Sequence, residues 1–166
     1  NRVTDSAAAG TALASGTKTN NGVIGQDADG NKLNSILSIA GENGLATGIV
    51  VSCAITHATP AAFFAHQPNR SNYEDIAMDF LSSGVDVVIG GGLDHFTKRS
   101  DSLNLVDSLI ARGYTVITDE ADLSSFGKDK LAAFLYPVHP PEYSKGRGNL
   151  LPDGVSKAIE LLSKNK

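Results

Sequence analysis

Three short runs rich in β-branched residues, at 46–53, 85–89 and 114–117, each follow a stretch whose apolar residues recur at helical spacing. That alternation constrains the fold more than any other feature of the chain. Strands separated by helices cannot pair through tight hairpins, so the pattern predicts an α/β fold with a largely parallel sheet and helices on its faces. The helical stretches are 6–15, thin-sided with Ala, Gly, Ser and Thr; 33–40, with Leu33, Ile36, Leu37 and Ala40 in phase; 61–65 behind Pro60; 73–82; 102–112; and 153–163, with Val155, Ala158, Ile159 and Leu162 on one face.

From 128 to 151 the pattern breaks. Residues 131–135 read as a strand, but Pro137, Pro140, Pro141, Gly146 and Gly148 make the remainder an irregular surface excursion. The chain is expected to form a single domain over 1–166. It is also expected to be incomplete at both ends, because Val3-Thr4 looks like the tail of a strand and the final helix lacks the strand its crossover would deliver. Asn1-Arg2 contains no initiator Met and begins no apolar leader, so any signal peptide is expected to be absent or removed.

The 166 residues are 41% hydrophobic, enough to bury about 70% of the unfolded chain's surface. The net charge of -4 excludes a broad basic surface for nucleic acid or anionic lipid. No apolar run approaches the ~20 residues a membrane helix needs. Cys53, the single cysteine, lies in an apolar strand run and reads as a buried thiol rather than a ligand.

Three segments carry chemistry. In Val3-Thr4-Asp5-Ser6-Ala7-Ala8-Ala9-Gly10-Thr11, a serine opens a helix whose unpaired N–H groups and positive end favour a phosphate, and the small residues leave room for close approach. An Asp-Ser pair is by itself more often a cap. In Thr56-His57-Ala58-Thr59-Pro60, His57 and Thr59 follow the carboxyl end of a strand, where parallel sheets bind ligands. Two apart in extended chain, they would face one pocket; the plain alternative is a strand exit with Thr59 capping a helix opened by Pro60. In His66-Gln67-Pro68-Asn69-Arg70, Arg70 offers a planar cation able to grip two phosphate oxygens, although a lone loop arginine is usually solvated.

Together, and in this order, these segments resemble the alkaline phosphatase family. The likeness continues through Gly16-Thr17-Lys18-Thr19-Asn20-Asn21-Gly22, Gly44-Leu45-Ala46-Thr47-Gly48, Asp86-Val87-Val88-Ile89-Gly90-Gly91-Gly92 and Lys157-Ala158-Ile159-Glu160-Leu161-Leu162, nearly the whole chain. It implies a three-layer α/β/α sandwich and hydrolysis of phosphate monoesters through a phosphoserine intermediate, with two zinc ions and one magnesium.

By the same resemblance, Ser6 is the nucleophile and a zinc ligand, Arg70 grips the phosphate, and Asp5 orients Arg70 or the loop. Thr59 is a magnesium ligand, and His57 stands near the third metal, where some members carry Asp. His66, His95 and His139 match no ligand motif. Most of the family's metal ligands lie outside the matched segments, so this chain alone is expected to be inactive. Small phosphate esters are the implied partners, a homodimer the implied assembly, and the periplasm or extracellular space the implied location. Two other classes remain open: a non-catalytic anion-binding α/β module, and a relative acting on phosphodiesters or sulfate esters.

Overall fold

The computed structural model describes residues 3–125 and 130–164, which form two compact units, one of 3–45 with 56–85 and one of 46–55 with 86–125 and 130–164. The start of the excursion expected at Lys128 lies outside the described residues.

The second unit holds the sheet. Strands β1 (Gly48–Ala54), β2 (Val87–Gly91), β3 (Thr115–Ile117) and β4 (Leu131–Phe134) pair in the order β1-β2-β4-β3, every pair parallel. Helix α7 (Leu150–Leu162) covers one face: Leu150, Ala158 and Leu161 pack with Val87, Ile89, Leu131 and Ala133 into one buried cluster. Gly154 lets α7 lie close, since a Cβ there would stand 3.0 Å from Val50 Cγ1 and 3.2 Å from Ile89 Cγ2.

Side chains alternate along a strand, so Phe134 points to the opposite face, where it meets Phe96 of α5 (Leu93–Thr97) at 4.3 Å between ring centres. Helix α6 (Leu105–Ala111) follows α5 and buries Leu105 and Leu109. Helices on both faces of the parallel sheet make this an α/β fold of three layers.

Helix α5 had no counterpart in the sequence pattern, and β4 enters between β2 and β3 although it comes last in the chain. After β4 the excursion is irregular apart from a 3-10 turn at Tyr143–Lys145, and α7 starts at Leu150, with Pro152 tolerated in its first turn. Cys53 is half-buried rather than buried, and its surroundings push the thiol up to about 11 through desolvation.

The first unit contains α1 (Ser6–Ser15), α2 (Ile36–Glu42), α3 (Ala58–Ala61) and α4 (Tyr73–Phe80). Its packing is that of small residues and polar ties. Gly10 of α1 meets α3 so closely that a Cβ would stand 3.1 Å from Ala62 Cβ and 3.5 Å from Thr59 Cα. Thr11, wholly buried, accepts from the N–H of Gly25 at 3.0 Å. Ser35 caps α2 and donates to the carbonyl of Phe63 at 2.6 Å. Phe64 and Phe80 meet edge to face at 5.3 Å.

Candidate functional site

Helix α1 begins at Ser6, with Asp5 as its N-cap in an extended conformation and Asp5 Oδ1 accepting from the N–H of Ala8 at 2.9 Å. Ser6 is half-buried. It therefore occupies the first position of the helix, where backbone N–H groups have no partner within the helix itself. The chain reaching it is not a strand. Val3 and Thr4 run irregularly, tied down by the side chain of Asn21, which donates to the carbonyl of Val3 at 3.1 Å and accepts from the N–H of Asp5 at 3.2 Å.

The second oxygen of Asp5 is the hub of the site. Oδ2 accepts from the N–H of Gly22 at 3.1 Å and from Arg70 Nη1 at 3.1 Å, with both charged side chains about three-quarters buried. The N–H of Arg70 in turn donates to the carbonyl of Gly22 at 2.7 Å. One turn of the loop after α1 thus clamps the aspartate and the arginine together. Burial would raise the Asp5 carboxyl, but the N–H of Ala8, the Arg70 guanidinium and the N–H of Gly22 more than offset it and hold it below its ordinary value.

Arg70 extends the network to His57, whose Nε2 lies 3.2 Å from Arg70 Nη2. A guanidinium only donates, so His57 Nε2 accepts and the ring proton sits on Nδ1. His57 is the half-buried residue preceding α3, in extended conformation, and makes no side-chain cap. His57 and Thr59 do not share a face by strand alternation, because Thr59 is the second residue of helix α3 and is exposed. What brings Thr59 toward the site is the Gly10 contact: Gly10 lies four residues beyond Ser6 on the same side of α1, roughly 6 Å along its axis.

Asp5, Arg70 and His57 therefore form one connected chain of contacts that starts at the residue before Ser6, and the backbone of Thr59 packs against Gly10, about one helical turn further along α1. Gly22 and Asn21 were not singled out as site residues from the sequence; only their place in a Gly/Asn-rich loop hinted at tight backbone turns. A cavity of about 480 Å³ opens beside α1, but Thr4, Ala8, Ala12, Lys18, Thr19 and Asn21 line it, and Ser6 and Arg70 do not. His66 serves structure, with Nε2 3.0 Å from the carbonyl of Leu33. Among the described residues no three His, Cys, Asp or Glu side chains converge as a metal-binding group, and no helix is long and apolar enough to cross a membrane.

The fold has close counterparts among solved structures. The alkaline phosphatase of the Antarctic bacterium TAB5 superposes with a TM-score of 0.95 and 41% identity over 99% of this chain and 49% of that one. A variant of the same enzyme solved with magnesium bound gives 0.94 and 42%, over 98% of this chain and 48% of that one. The sequence model of the alkaline phosphatase family matches residues 1–166, and the chain belongs to that family. Alkaline phosphatase 4 of Bacillus subtilis is 36% identical over 99% of this chain and 37% of its own length. The chain thus spans less than half the length of these relatives.

Proposed function

We propose that this chain carries the nucleophile and the anion grip of a phosphomonoesterase acting through a phosphoserine. The observation that carries the reading is the Asp5–Arg70–His57 chain of contacts, anchored on the residue that precedes a serine at a helix N-terminus. Arg70, fixed on one side by Asp5 Oδ2, would present its remaining N–H groups to two non-bridging phosphate oxygens. Ser6 Oγ would attack phosphorus as the bond to the ester oxygen breaks, releasing the alcohol and leaving a serine phosphate. Water would then attack that phosphorus and release inorganic phosphate and free serine. Asp5 acts as a positioning residue, since a rotating guanidinium would lose its two-point grip.

Two zinc ions and one magnesium belong to this reading through the family resemblance, and the TAB5 variant with bound magnesium is consistent with a metal role. The described residues do not by themselves fit those ions: a catalytic zinc takes about three protein ligands, and no such group converges. Ser6, Thr59 and His57 would each contribute one contact at most, with His57 Nε2 already engaged by Arg70. The chain alone is expected to turn over no ester. Export and a homodimer belong to the same proposal.

The test is acid-quenched trapping with a radioactive phosphate monoester in the natural protein. Wild type should retain label, Ser6→Ala none, and Arg70→Ala should chiefly weaken competition by inorganic phosphate. Label retained in Ser6→Ala would end the assignment. A chromogenic monoester assay of the 166-residue chain with added zinc and magnesium should stay at background.

A further inference from the structure

Within the unit around α1, Arg70 owes its place to a short antiparallel pairing of two loops. Ile24 and Gln67 each donate their N–H to the other's carbonyl at 2.9 Å, and further along the N–H of Arg70 donates to the carbonyl of Gly22 at 2.7 Å. The same Gly22 gives its own N–H to Asp5 Oδ2, so one loop holds the aspartate and the other carries the arginine paired with it. Pro68 and Asn69, which join Gln67 to Arg70, are exposed. Apolar packing therefore does little to steady them, and the path to Arg70 depends on how firmly Gln67 is held.

Asp79 of α4 holds it. Its Oδ2 accepts from the N–H of His66 and from Gln67 Nε2, each at 2.9 Å. Helix α4 has no use of its own for an acid at that position. Glu74 and Asp75 stand in its first turn, near the positive helix end, whereas Asp79 stands in the last turn, where the helix end is itself negative. Half-buried, Asp79 also gives up part of its hydration. The two donors offset both costs, and they belong to the residue that pairs with Ile24 and to the one before it. The resemblance that singles out the site residues assigns Asp79 nothing.

We propose that Asp79 is a positioning residue: by accepting from His66 and Gln67 it fixes the pairing of Gln67 with Ile24, and so the place from which Arg70 reaches a phosphate. The proposal rests on the phosphatase reading for what Arg70 grips, but its structural content can be measured without turnover. Both donors converge on one oxygen of Asp79. The amide oxygen of asparagine has two lone pairs and can accept both, whereas alanine accepts neither.

The experiment measures binding of inorganic phosphate to the natural protein as wild type, Asp79→Ala, Asp79→Asn, Arg70→Ala and the double variant Arg70→Ala/Asp79→Ala. Asp79→Ala should raise the phosphate dissociation constant about tenfold, the scale of one lost hydrogen bond to a charged group, and Asp79→Asn should restore it. Added to Arg70→Ala, Asp79→Ala should change the constant no further, because Asp79 acts through the arginine. An unchanged constant in Asp79→Ala, failure of Asp79→Asn to rescue, or an equal further loss in the double variant overturns the proposal. Should Asp79→Ala not fold, Gln67→Met, which removes one of the two donors, decides: weaker phosphate binding supports the proposal and unchanged binding overturns it. Hydrogen exchange of the Arg70 amide separates the two readings, and Asp79→Ala should speed it about tenfold. Phosphate binding absent from wild type counts against the phosphatase assignment, and the Arg70 amide then judges Asp79 alone, with unchanged exchange overturning its positioning role.

Discussion

In the sheet unit, Val87, Ile89, Leu131 and Ala133 are wholly buried and meet α7 through Leu150, Ala158 and Leu161. In the unit around α1, the contacts that set the geometry are instead polar and singular: Asp5 with Arg70 and Gly22, Thr11 with Gly25, Ser35 with Phe63. Apolar packing is redundant, since each side chain has many neighbours and loses only part of its contacts when one is removed. A hydrogen-bonded hub has no such reserve. The candidate site stands in the second kind of architecture, where a single lost partner leaves a donor or a charge behind. That suits an anion grip, whose geometry must be exact within a fraction of an ångström.

The comparison predicts a ranking. Ile89→Ala, at the centre of the sheet cluster, should cost about 2–5 kcal/mol in denaturant unfolding, because it removes packed methylenes and leaves a cavity. Thr11→Val, nearly isosteric, should cost about 1–3 kcal/mol by stranding the N–H of Gly25. If Thr11→Val proves silent, the polar ties of the α1 unit are dispensable and the contrast collapses.

Asp5→Asn keeps the helix cap but removes the charge, and should cost up to about 1 kcal/mol near neutral pH. Its clearer mark is in acid. Because the folded carboxyl lies below its ordinary value of 3.8, its stabilisation is fully present above that value and is lost as pH falls through the folded one. Wild type should therefore lose stability across that acidic window, and Asp5→Asn should lose less of it; parallel acid limbs would show that the carboxylate is not the hub. Smallest of all, Ile159→Ser, on the exposed side of α7, should stay within about 0.5 kcal/mol of wild type. A larger loss measured by thermal unfolding would mean that this face is packed in solution.

The sequence by itself determined the alternation of strands and helices, the parallel sheet and the start of α1 at Ser6, because hydrophobic period and capping chemistry are local properties read within a few residues. Its boundaries came within a few residues for β1, β2, β4 and α4. Helix α5 escaped because five residues after three glycines show too little periodicity to register.

Only the tertiary structure decided the strand order, since β4 takes its place between β2 and β3 by packing Leu131 and Ala133 with α7, a preference no single strand contains. It also decided the site's wiring. Asp5 and Arg70, whose side chains pair, lie 65 residues apart. Such bonds depend on where the backbone has already been carried, and a side chain's partner at that range leaves no periodic trace in the chain. The pairing of His57 with Thr59 shows the converse: extended-chain alternation predicts one shared face, but Thr59 lies inside the helix that Pro60 supports, with its backbone against Gly10 and its side chain exposed. Local rules placed each residue on its element; the distances among them came from the packing of the elements.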